Sequence, residues 1–217
     1  MFGPPGSGKG TQAKLLRQAF GIAHISTGDM LRERIASGDA LGLQAASIMQ
    51  AGGLVPDSIV NRMVEDRIEQ PDCAKGFILD GFPRTVEQAR ELAVVLADRG
   101  IRPMVVHLKV DYNVVIARLS GRRQCPTCGA LYSVTSNAPT VSEVCDYDGS
   151  KLVVRDDDRP EVVGERLRAY ERQTAPVLHF LKSAGYTIWD VEGADAPPQA
   201  IARRIEDLIR GELGEVR

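Results

Sequence analysis

The sequence has few aromatic residues, few histidines and no excess of positive charge. Aromatic residues make up 5% of the 217 residues, there are three histidines, and the formal net charge is −2. General nucleic-acid and membrane-surface binders usually carry a basic excess, so this balance argues against both classes. Hydrophobic residues at 43% and charged residues at 26% are ordinary for a globular chain. We therefore expect no nucleic-acid partner and no membrane.

Long apolar runs are also missing. No stretch reaches the roughly 18 apolar residues of a transmembrane helix, and the N-terminus lacks the charged and apolar segments of a secretory signal. We therefore expect a cytoplasmic location. The chain has four cysteines, of which three lie close together in the sequence. Cysteines that are few and clustered in such a compartment favour metal ligation over a disulfide scaffold.

Helical and strand-like patterns alternate along the chain. The periodicity predicts helices over 11–20, 29–35, 41–50, 58–69, 85–99, 111–119, 160–184 and 197–210, and strands over 76–80, 104–110 and 186–191. Asp29 and Asp111 are predicted helix caps, and Pro176 predicts a kink. Alternating strands and helices are typical of a parallel α/β sheet, whose ligands bind beyond the carboxyl ends of the strands.

A glycine-rich loop stands directly before the first predicted helix. The segment Gly3-Pro-Pro-Gly-Ser-Gly-Lys-Gly-Thr11 fits the phosphate-binding pattern G-x-x-x-x-G-K. Its glycines let backbone N–H groups turn inward, and Lys9 would reach the β- and γ-phosphates of a nucleotide. Gly10 stands where general P-loops have Ser or Thr for Mg²⁺, which disfavours a motor or GTPase-type metal site. The alternative is a plain glycine-rich turn.

The segment before this loop is short. Only Met1 and Phe2 precede Gly3, where a P-loop protein is expected to have a strand of about five apolar residues. We therefore expect the natural start to lie upstream or the chain to be truncated.

Three cysteines and one aspartate form a metal-ligand pattern. Cys125-Pro-Thr-Cys128 is followed, 16 residues later, by Cys145-Asp-Tyr-Asp148. The first pair is a zinc-ribbon knuckle, and a carboxylate is an acceptable fourth ligand. Four protein ligands predict a structural Zn²⁺ that rigidifies a segment too small to form its own core. Reduced free thiols and a Cys125–Cys128 redox pair remain as alternatives.

Three segments resemble the signatures of the nucleoside monophosphate kinase family. They are the glycine-rich loop, Ser26-Thr-Gly-Asp-Met-Leu-Arg32 and Asp80-Gly-Phe-Pro-Arg84. The long insert 121–159, which begins Gly121-Arg-Arg123, resembles the lid of the long-lid adenylate kinases. The resemblance implies a P-loop NTPase-type parallel sheet core with an inserted AMP-binding segment and a zinc-ribbon-like lid. It also implies reversible phosphoryl transfer from Mg-ATP to AMP, giving two ADP.

The resemblance divides the chain into segments. It implies a core over 1–25, 56–120 and 160–217, an AMP-binding segment over 26–55 and a lid over 121–159. It implies a monomer whose partners are ATP, AMP and ADP. The acidic run Asp156–Asp158 is expected to form the hinge of the lid or to pair with lid arginines, and the resemblance favours Asp157 and Asp158 in that role.

The resemblance also assigns site residues, and no residue is expected to act as a nucleophile. On the ATP side it implies Gly6, Ser7, Gly8, Lys9, Gly10, Thr11, Arg118, Arg122 and Tyr132. On the AMP side it implies Thr27, Arg32, Leu54, Val55, Gly81, Arg84, Gln88, Arg155 and Arg166. Those expected to act on the transferring group are Lys9, Arg84, Arg122, Arg155 and Arg166. The expected cofactors are Mg²⁺ with ATP, held through water by Asp80, and Zn²⁺ on Cys125, Cys128, Cys145 and Asp148.

Two other functions fit part of the pattern. A UMP or CMP kinase would share the core, but those enzymes usually have a short lid, which the insert 121–159 does not match. A non-catalytic nucleotide-binding module could use the zinc knuckle to bind nucleic acid. The acidic residues of the lid, among them Glu143 and Asp146, disfavour that reading because nucleic-acid binders present a basic face.

Overall fold

The computed structural model describes residues 1–215, in which helices surround parallel strands. The helices are α1 Lys9–Phe20, α2 Thr27–Ser37, α3 Ala40–Gln50, α4 Asp57–Ile68, α5 Val86–Asp98, α6 Tyr112–Ser120, α7 Pro160–Ala169, α8 Ala175–Ser183 and α9 Pro198–Glu215. The strands are β1 Ala23–Ser26, β2 Phe77–Asp80, β3 Val105–Lys109, β4 Arg122–Gln124, β5 Leu131–Ser133 and β6 Ile188–Glu192. Within the described residues, no helix combines the length and the hydropathy needed to cross a membrane.

Two parallel strand pairs form the central sheet. β1 pairs with β2, so that Ser26 lies opposite Asp80, and β3 pairs with β6. Phe2 joins the two pairs: its N–H donates to Val106 O at 2.7 Å, and the nitrogen of Met1 donates to Leu79 O at 2.9 Å. The order across the sheet is therefore β1, β2, the segment at Phe2, β3 and β6. This parallel arrangement confirms the predicted α/β class.

Helices cover both faces of the sheet. On one face, α1 and α9 pack against β3 and β6 through Leu16, Val106, Leu108, Val191, Ile201 and Ile205. On the other face, α5 and α8 pack through Phe2, Ala89, Val105, Val177 and Leu181. Neighbouring residues of β3 enter opposite clusters, as the two-residue period of a strand requires.

The helices α2 and α3 form a hairpin beside the sheet. They share an apolar cluster with α4, to which Leu31, Ala45 and Val64 contribute. A Cβ at Gly42 would lie 2.0 Å from the carbonyl oxygen of Arg34, so only glycine permits this close crossing. The predicted segment 26–55 is thus built mainly from two closely packed helices.

One predicted helix cap is wrong. Ser26, rather than Asp29, caps α2, because the Asp29 N–H donates to Ser26 Oγ at 3.3 Å. Asp29 lies inside the first turn and pairs with Arg32, whose Nη2 is 2.5 Å from Asp29 Oδ1. Serine accepts a hydrogen bond from a free N–H of the first helical turn as well as aspartate does. Of the two suitable residues, the structure uses the earlier one as the cap.

Two other differences have local causes. The strand β1 was not predicted, because its four residues are too few to show an alternating pattern. The predicted helix 160–184 is interrupted by a π-helical turn, Tyr170–Thr174, that ends just before Pro176. The missing N–H of Pro176 cannot complete the helical hydrogen-bond ladder, which accounts for this turn, and the kink itself stays a prediction.

We predict that Ile205→Ala lowers the free energy of unfolding by about 2–5 kcal/mol, because Ile205 is fully buried between α9 and the sheet. Leu213→Ala on the same helix is the matched control, since Leu213 is 60% exposed, and it should cost less than about 0.5 kcal/mol. Urea titration of both variants checks this. Equal losses would contradict the packing of α9 described above.

Candidate active site

The phosphate loop leads directly into α1. Gly8 adopts a left-handed conformation, φ 100°, at the start of the helix, and among the described residues no side chain caps it. The first amides of α1 therefore face outward toward an incoming anion, with the positive end of the helix dipole behind them. Lys9 Nζ folds back over the loop and donates to Gly3 O at 2.8 Å and Pro4 O at 2.9 Å. Of the other predicted loop residues, Ser7 is buried and Thr11 is exposed.

Asp80 at the end of β2 lies directly against this loop. A Cβ on Gly10 would lie 3.2 Å from Asp80 Oδ2, so the absent side chain at position 10 makes room for the carboxylate. His24 Nε2 on β1 lies 3.3 Å from the same oxygen. Burial raises the pKa of Asp80, but the hydrogen bond from His24 and the charge of Lys9 lower it more, and the net shift is downward. Asp80 is therefore an anion, the state that holding Mg²⁺ or its water ligands requires.

Lys9 is half-buried and lies within reach of other positive groups. Burial lowers its pKa from 10.5 to about 8, Asp80 opposes the shift, and the charges of Arg84, Arg166 and Arg122 add to it. The charges of three arginines therefore act on one ammonium group beside the phosphate loop. Such a concentration of positive charge is suited to the phosphates of two nucleotides.

Arg84 is the centre of the predicted acceptor side. Its Nε donates to Gly81 O at 2.7 Å, and its own carbonyl accepts from the Thr174 hydroxyl at 3.0 Å. The hydroxyl of Thr27 donates to the same Gly81 carbonyl at 2.8 Å. Burial lowers the pKa of Arg84 to about 10, and the charge of Arg166 contributes to that shift. Thr27, Gly81 and Arg84 are thus brought together as predicted.

Asp158 connects two of the other predicted arginines. Its side chain is fully buried, and it accepts from Arg122 Nε at 2.6 Å and from Arg166 Nη1 at 2.6 Å. Asp157 lies 3.2 Å from the same Arg166 nitrogen. Asp158 thus pairs with Arg122 of the segment 121–159, as expected, whereas Asp157 pairs with Arg166, which lies outside that segment. Arg155 lies nearby, and its Nε donates to Gln124 Oε1 at 2.6 Å.

Arg118 joins the phosphate loop to the turn after β6. Its Nη1 donates to Ser7 O at 3.3 Å and its Nη2 to Gly193 O at 3.0 Å. Burial lowers its pKa. The guanidinium therefore spans the loop and that turn.

The remaining predicted acceptor residues surround the hairpin of α2 and α3. Arg32 is held by Asp29, Val55 is buried and Leu54 is half-buried beside it. Gln88 is also buried, in the first turn of α5. Their roles in binding stay predictions.

Tyr132 has its side chain in the interior of the lid. Its hydroxyl accepts from the Asp146 N–H at 2.8 Å and lies 3.5 Å from Cys145 Sγ. The side chain thus supports the cysteine cluster in this structure. The predicted contact with ATP at this position stays a prediction.

The lid cysteines and Asp148 converge as their spacing predicts. One donor atom from each of Cys125, Cys128, Cys145 and Asp148 lies within 4.8 Å of the other three. Cys128 Sγ lies 3.5 Å from Cys145 Sγ, and Cys125 Sγ lies 3.2 Å from Asp148 Oδ2. These separations are near the roughly 3.7 Å edge of a tetrahedron with 2.3 Å Zn–S bonds and far from a disulfide's 2.05 Å. The four groups therefore fit a tetrahedral zinc ion.

Comparisons with known proteins agree with this arrangement. A sequence model of the family described as adenylate kinase matches residues 1–186, most of the chain. The chain belongs to the adenylate kinase family. The resemblance inferred from three segments is thereby confirmed, and membership makes the chain a phosphotransferase.

Curated relatives match across nearly the whole chain. The adenylate kinase of Anaeromyxobacter sp. strain Fw109-5 is 49% identical over 203 residues, which cover 93% of this chain and 94% of the relative. That of Methanocella arvoryzae is 48% identical over 194 residues, 89% of each chain. That of Caldanaerobacter subterraneus subsp. tengcongensis is 42% identical over 218 residues, 100% of this chain and 96% of the relative.

Some contacts of the site were not predicted from the sequence. The bonds of His24 to Asp80 and of Thr174 to Arg84 join residues far apart in the chain, and no local pattern signals them. Thr85 had a signal: T-x-x-Q is the pattern of a capping box, and the Gln88 N–H donates to Thr85 Oγ1 at 3.1 Å.

We predict that burial of Lys9 makes stability depend on pH. Its pKa is about 8 in the folded chain and 10.5 ordinarily, so unfolding takes up a proton between these values. Without nucleotide, the wild type should therefore gain stability relative to Lys9→Met as pH rises from 8 to 10, by up to about 1.4 kcal/mol per pH unit.

Below pH 8 the difference between the wild type and Lys9→Met should be constant. Urea titrations across pH 7–10 measure it. Lys14→Met, on the exposed side of the same helix, is the control and should parallel the wild type. A Lys9→Met curve parallel to the wild type would contradict the burial of the Lys9 charge.

Proposed function

We propose that this chain catalyses reversible phosphoryl transfer from Mg-ATP to AMP, giving two ADP. Membership of the adenylate kinase family supports the reaction. The observation that carries the residue-level proposal is the convergence of Lys9, Arg84, Arg122 and Arg166, whose charges act on one another around the phosphate loop and Asp80. Transfer between two nucleotides needs in-line placement and positive charge, and little covalent chemistry from the protein.

On the ATP side, the loop Gly6–Thr11 and the first amides of α1 would bind the phosphates. Lys9 would move from the loop carbonyls to the β- and γ-phosphates. Arg118, which already lies along the loop, would pack against the adenine. Asp80 fits Mg²⁺ because it is ionised, half-buried and next to the loop. When bound with ATP, Mg²⁺ neutralises phosphate charge and orients the phosphates.

On the AMP side, Arg32 and Arg84 would bind the phosphate as bidentate donors. The base would lie among Thr27, Leu54, Val55 and Gln88, against Gly81. A phosphate oxygen of AMP would then attack the γ-phosphoryl group of ATP directly, with no enzyme nucleophile.

Arg122, Arg155 and Arg166 would donate hydrogen bonds to the transferring phosphoryl group. Two of them are held by Asp158 and the third by Gln124, so their planes are fixed before substrate binds. Fixed donors aimed at developing charge stabilise a transition state without reorganisation. We infer that the segment 26–55 and the lid 121–159 close over the core 1–25, 56–120 and 160–217 to exclude water, which would otherwise accept the phosphoryl group.

We also propose that the lid binds a structural zinc ion through Cys125, Cys128, Cys145 and Asp148. The convergence of four donors supports it. So does the small size of the lid core, which consists of two of these cysteines with Tyr132, Leu152 and the half-buried Ala130. The hydroxyls of Thr127 and Ser150, one in each knuckle, lie 2.8 Å apart and tie the two knuckles together.

We predict strong ADP formation from ATP, Mg²⁺ and AMP, and much weaker reaction with CMP, UMP or GMP. Arg84→Ala should lower kcat/KM for AMP by about 10³-fold or more, because one transition-state arginine contributes on that scale. Arg168→Ala is the control, since Arg168 is exposed and pairs only with Glu165 in the described residues. Preference for CMP or UMP as the acceptor would favour a pyrimidine-nucleotide kinase. Nucleotide binding without turnover would favour a non-catalytic module.

We predict about one zinc per chain in protein purified without chelator. Cys145→Ser should abolish most of that zinc and lower Tm by about 5 °C or more, since it opens a closed four-ligand site. Cys73→Ser is the control because Cys73 lies beside Arg67, outside the lid, and it should keep the metal. Metal analysis and thermal melts measure both, and a zinc-free wild type would refute the proposal.

A further inference from the structure

The side-chain amide of Gln88 is held at both of its ends. Its Oε1 accepts a hydrogen bond from the backbone N–H of Arg84 at 2.7 Å. Its Nε2 donates to Asp57 Oδ1, also at 2.7 Å. The side chain is almost fully buried, with 2% of Gln88 exposed. The amide therefore has protein partners of opposite kind on its two sides.

Those partners permit only one orientation of the amide. A backbone N–H can only donate and a carboxylate can only accept. Both oxygens of Asp57 act as acceptors, because Oδ2 accepts a hydrogen bond from the Thr85 hydroxyl at 2.7 Å. A rotated amide would set its NH₂ group against the Arg84 N–H and its oxygen against Asp57. Two repulsive contacts would then replace two hydrogen bonds.

The fixed amide leaves a fixed pattern for a ligand. One hydrogen of Nε2 and one lone pair of Oε1 remain after the bonds to Asp57 and Arg84. Adenine offers an amino donor beside a ring-nitrogen acceptor, which such an edge can match. Hypoxanthine has an oxo acceptor beside an N–H donor, the reverse order. A rotated amide would match the reverse order instead.

We propose that Asp57 is a positioning residue for base selectivity: it locks the amide of Gln88 in the orientation that accepts adenine and rejects 6-oxopurines. The inference rests on the proposed function, in which Gln88 borders the acceptor base. Asp57 itself contacts no nucleotide in this scheme. It acts through Gln88, and Thr85 in turn holds Asp57.

The test compares AMP with inosine monophosphate, which differs from AMP only in the reversed donor and acceptor order. Asp57→Asn supplies a donor beside Gln88 and so removes one of the two contacts that oppose the rotated amide, while the N–H of Arg84 still opposes it. The ratio of kcat/KM for AMP to that for inosine monophosphate should fall about tenfold or more, mainly through KM. Asp66→Asn removes the same charge from an exposed position of α4 and should leave the ratio unchanged.

Further variants separate the possible failures. Gln88→Met should also lower the ratio, and Asp57→Asn should have no further effect in that background. If Gln88→Met leaves the ratio unchanged, the proposed role of Gln88 in the acceptor site fails. If only Asp57→Asn leaves it unchanged, the inference about Asp57 is overturned. If Asp57→Asn does not fold, Asp57→Ser tests the same point, because a hydroxyl can both donate and accept a hydrogen bond. An unchanged ratio for Asp57→Ser would also overturn the inference about Asp57.

Discussion

Positive charge held away from water is the constraint on which the site depends. Burial lowers the pKa of both Lys9 and Arg84, and Arg166 acts on each of them. Without an anion, the fold must offset this repulsion with its own carboxylates, and Asp80 and Asp158 lie where that requires. Phosphate groups would take over this role when nucleotides bind. The repulsion among these cations would thus be relieved by phosphate, and more fully by the charge that develops during transfer.

The same constraint shapes the lid. Arg122 on β4 and Arg166 on α7 meet on Asp158, so the root of the lid is joined to the following helix by ionic contacts. Both arginines remain partly exposed although Asp158 is fully buried, so their other donors would be free to bind phosphate. The apolar core of the lid is small, and Cys125 and Cys145 make up a large part of that core. The proposed four-ligand metal site would supply the rigidity that this small core does not.

Features encoded by residues close together in the sequence could be predicted, and contacts between distant residues could not. The phosphate loop, the Cys–Asp pattern and the segment at Asp80 each carry their signal within a short segment. In the structure the loop meets Asp80, and the three cysteines and Asp148 converge on one another, as expected. Choices between neighbours were harder: Ser26 and Asp29 both suit a helix cap, and only the folded backbone selects Ser26. Contacts between distant residues, such as His24 with Asp80, carry no local signal at all. The orientation of Tyr132 belongs to this last class, since its position in the insert does not reveal that it faces Cys145.

The arginines show how hydrogen bonds within the protein prepare a site. Arg84 and Arg155 each donate through Nε, to Gly81 O and Gln124 Oε1, and Arg122 donates to Asp158 through Nε and Nη2. A guanidinium has five donors in one plane, so a bond through Nε fixes that plane and leaves the terminal Nη edge for a ligand. That terminal edge is the one that pairs with phosphate in bidentate fashion. The acceptors Gly81, Gln124 and Asp158 therefore set the direction in which each arginine would meet a phosphate group in the proposed reaction, and their loss would misalign a charge without removing it.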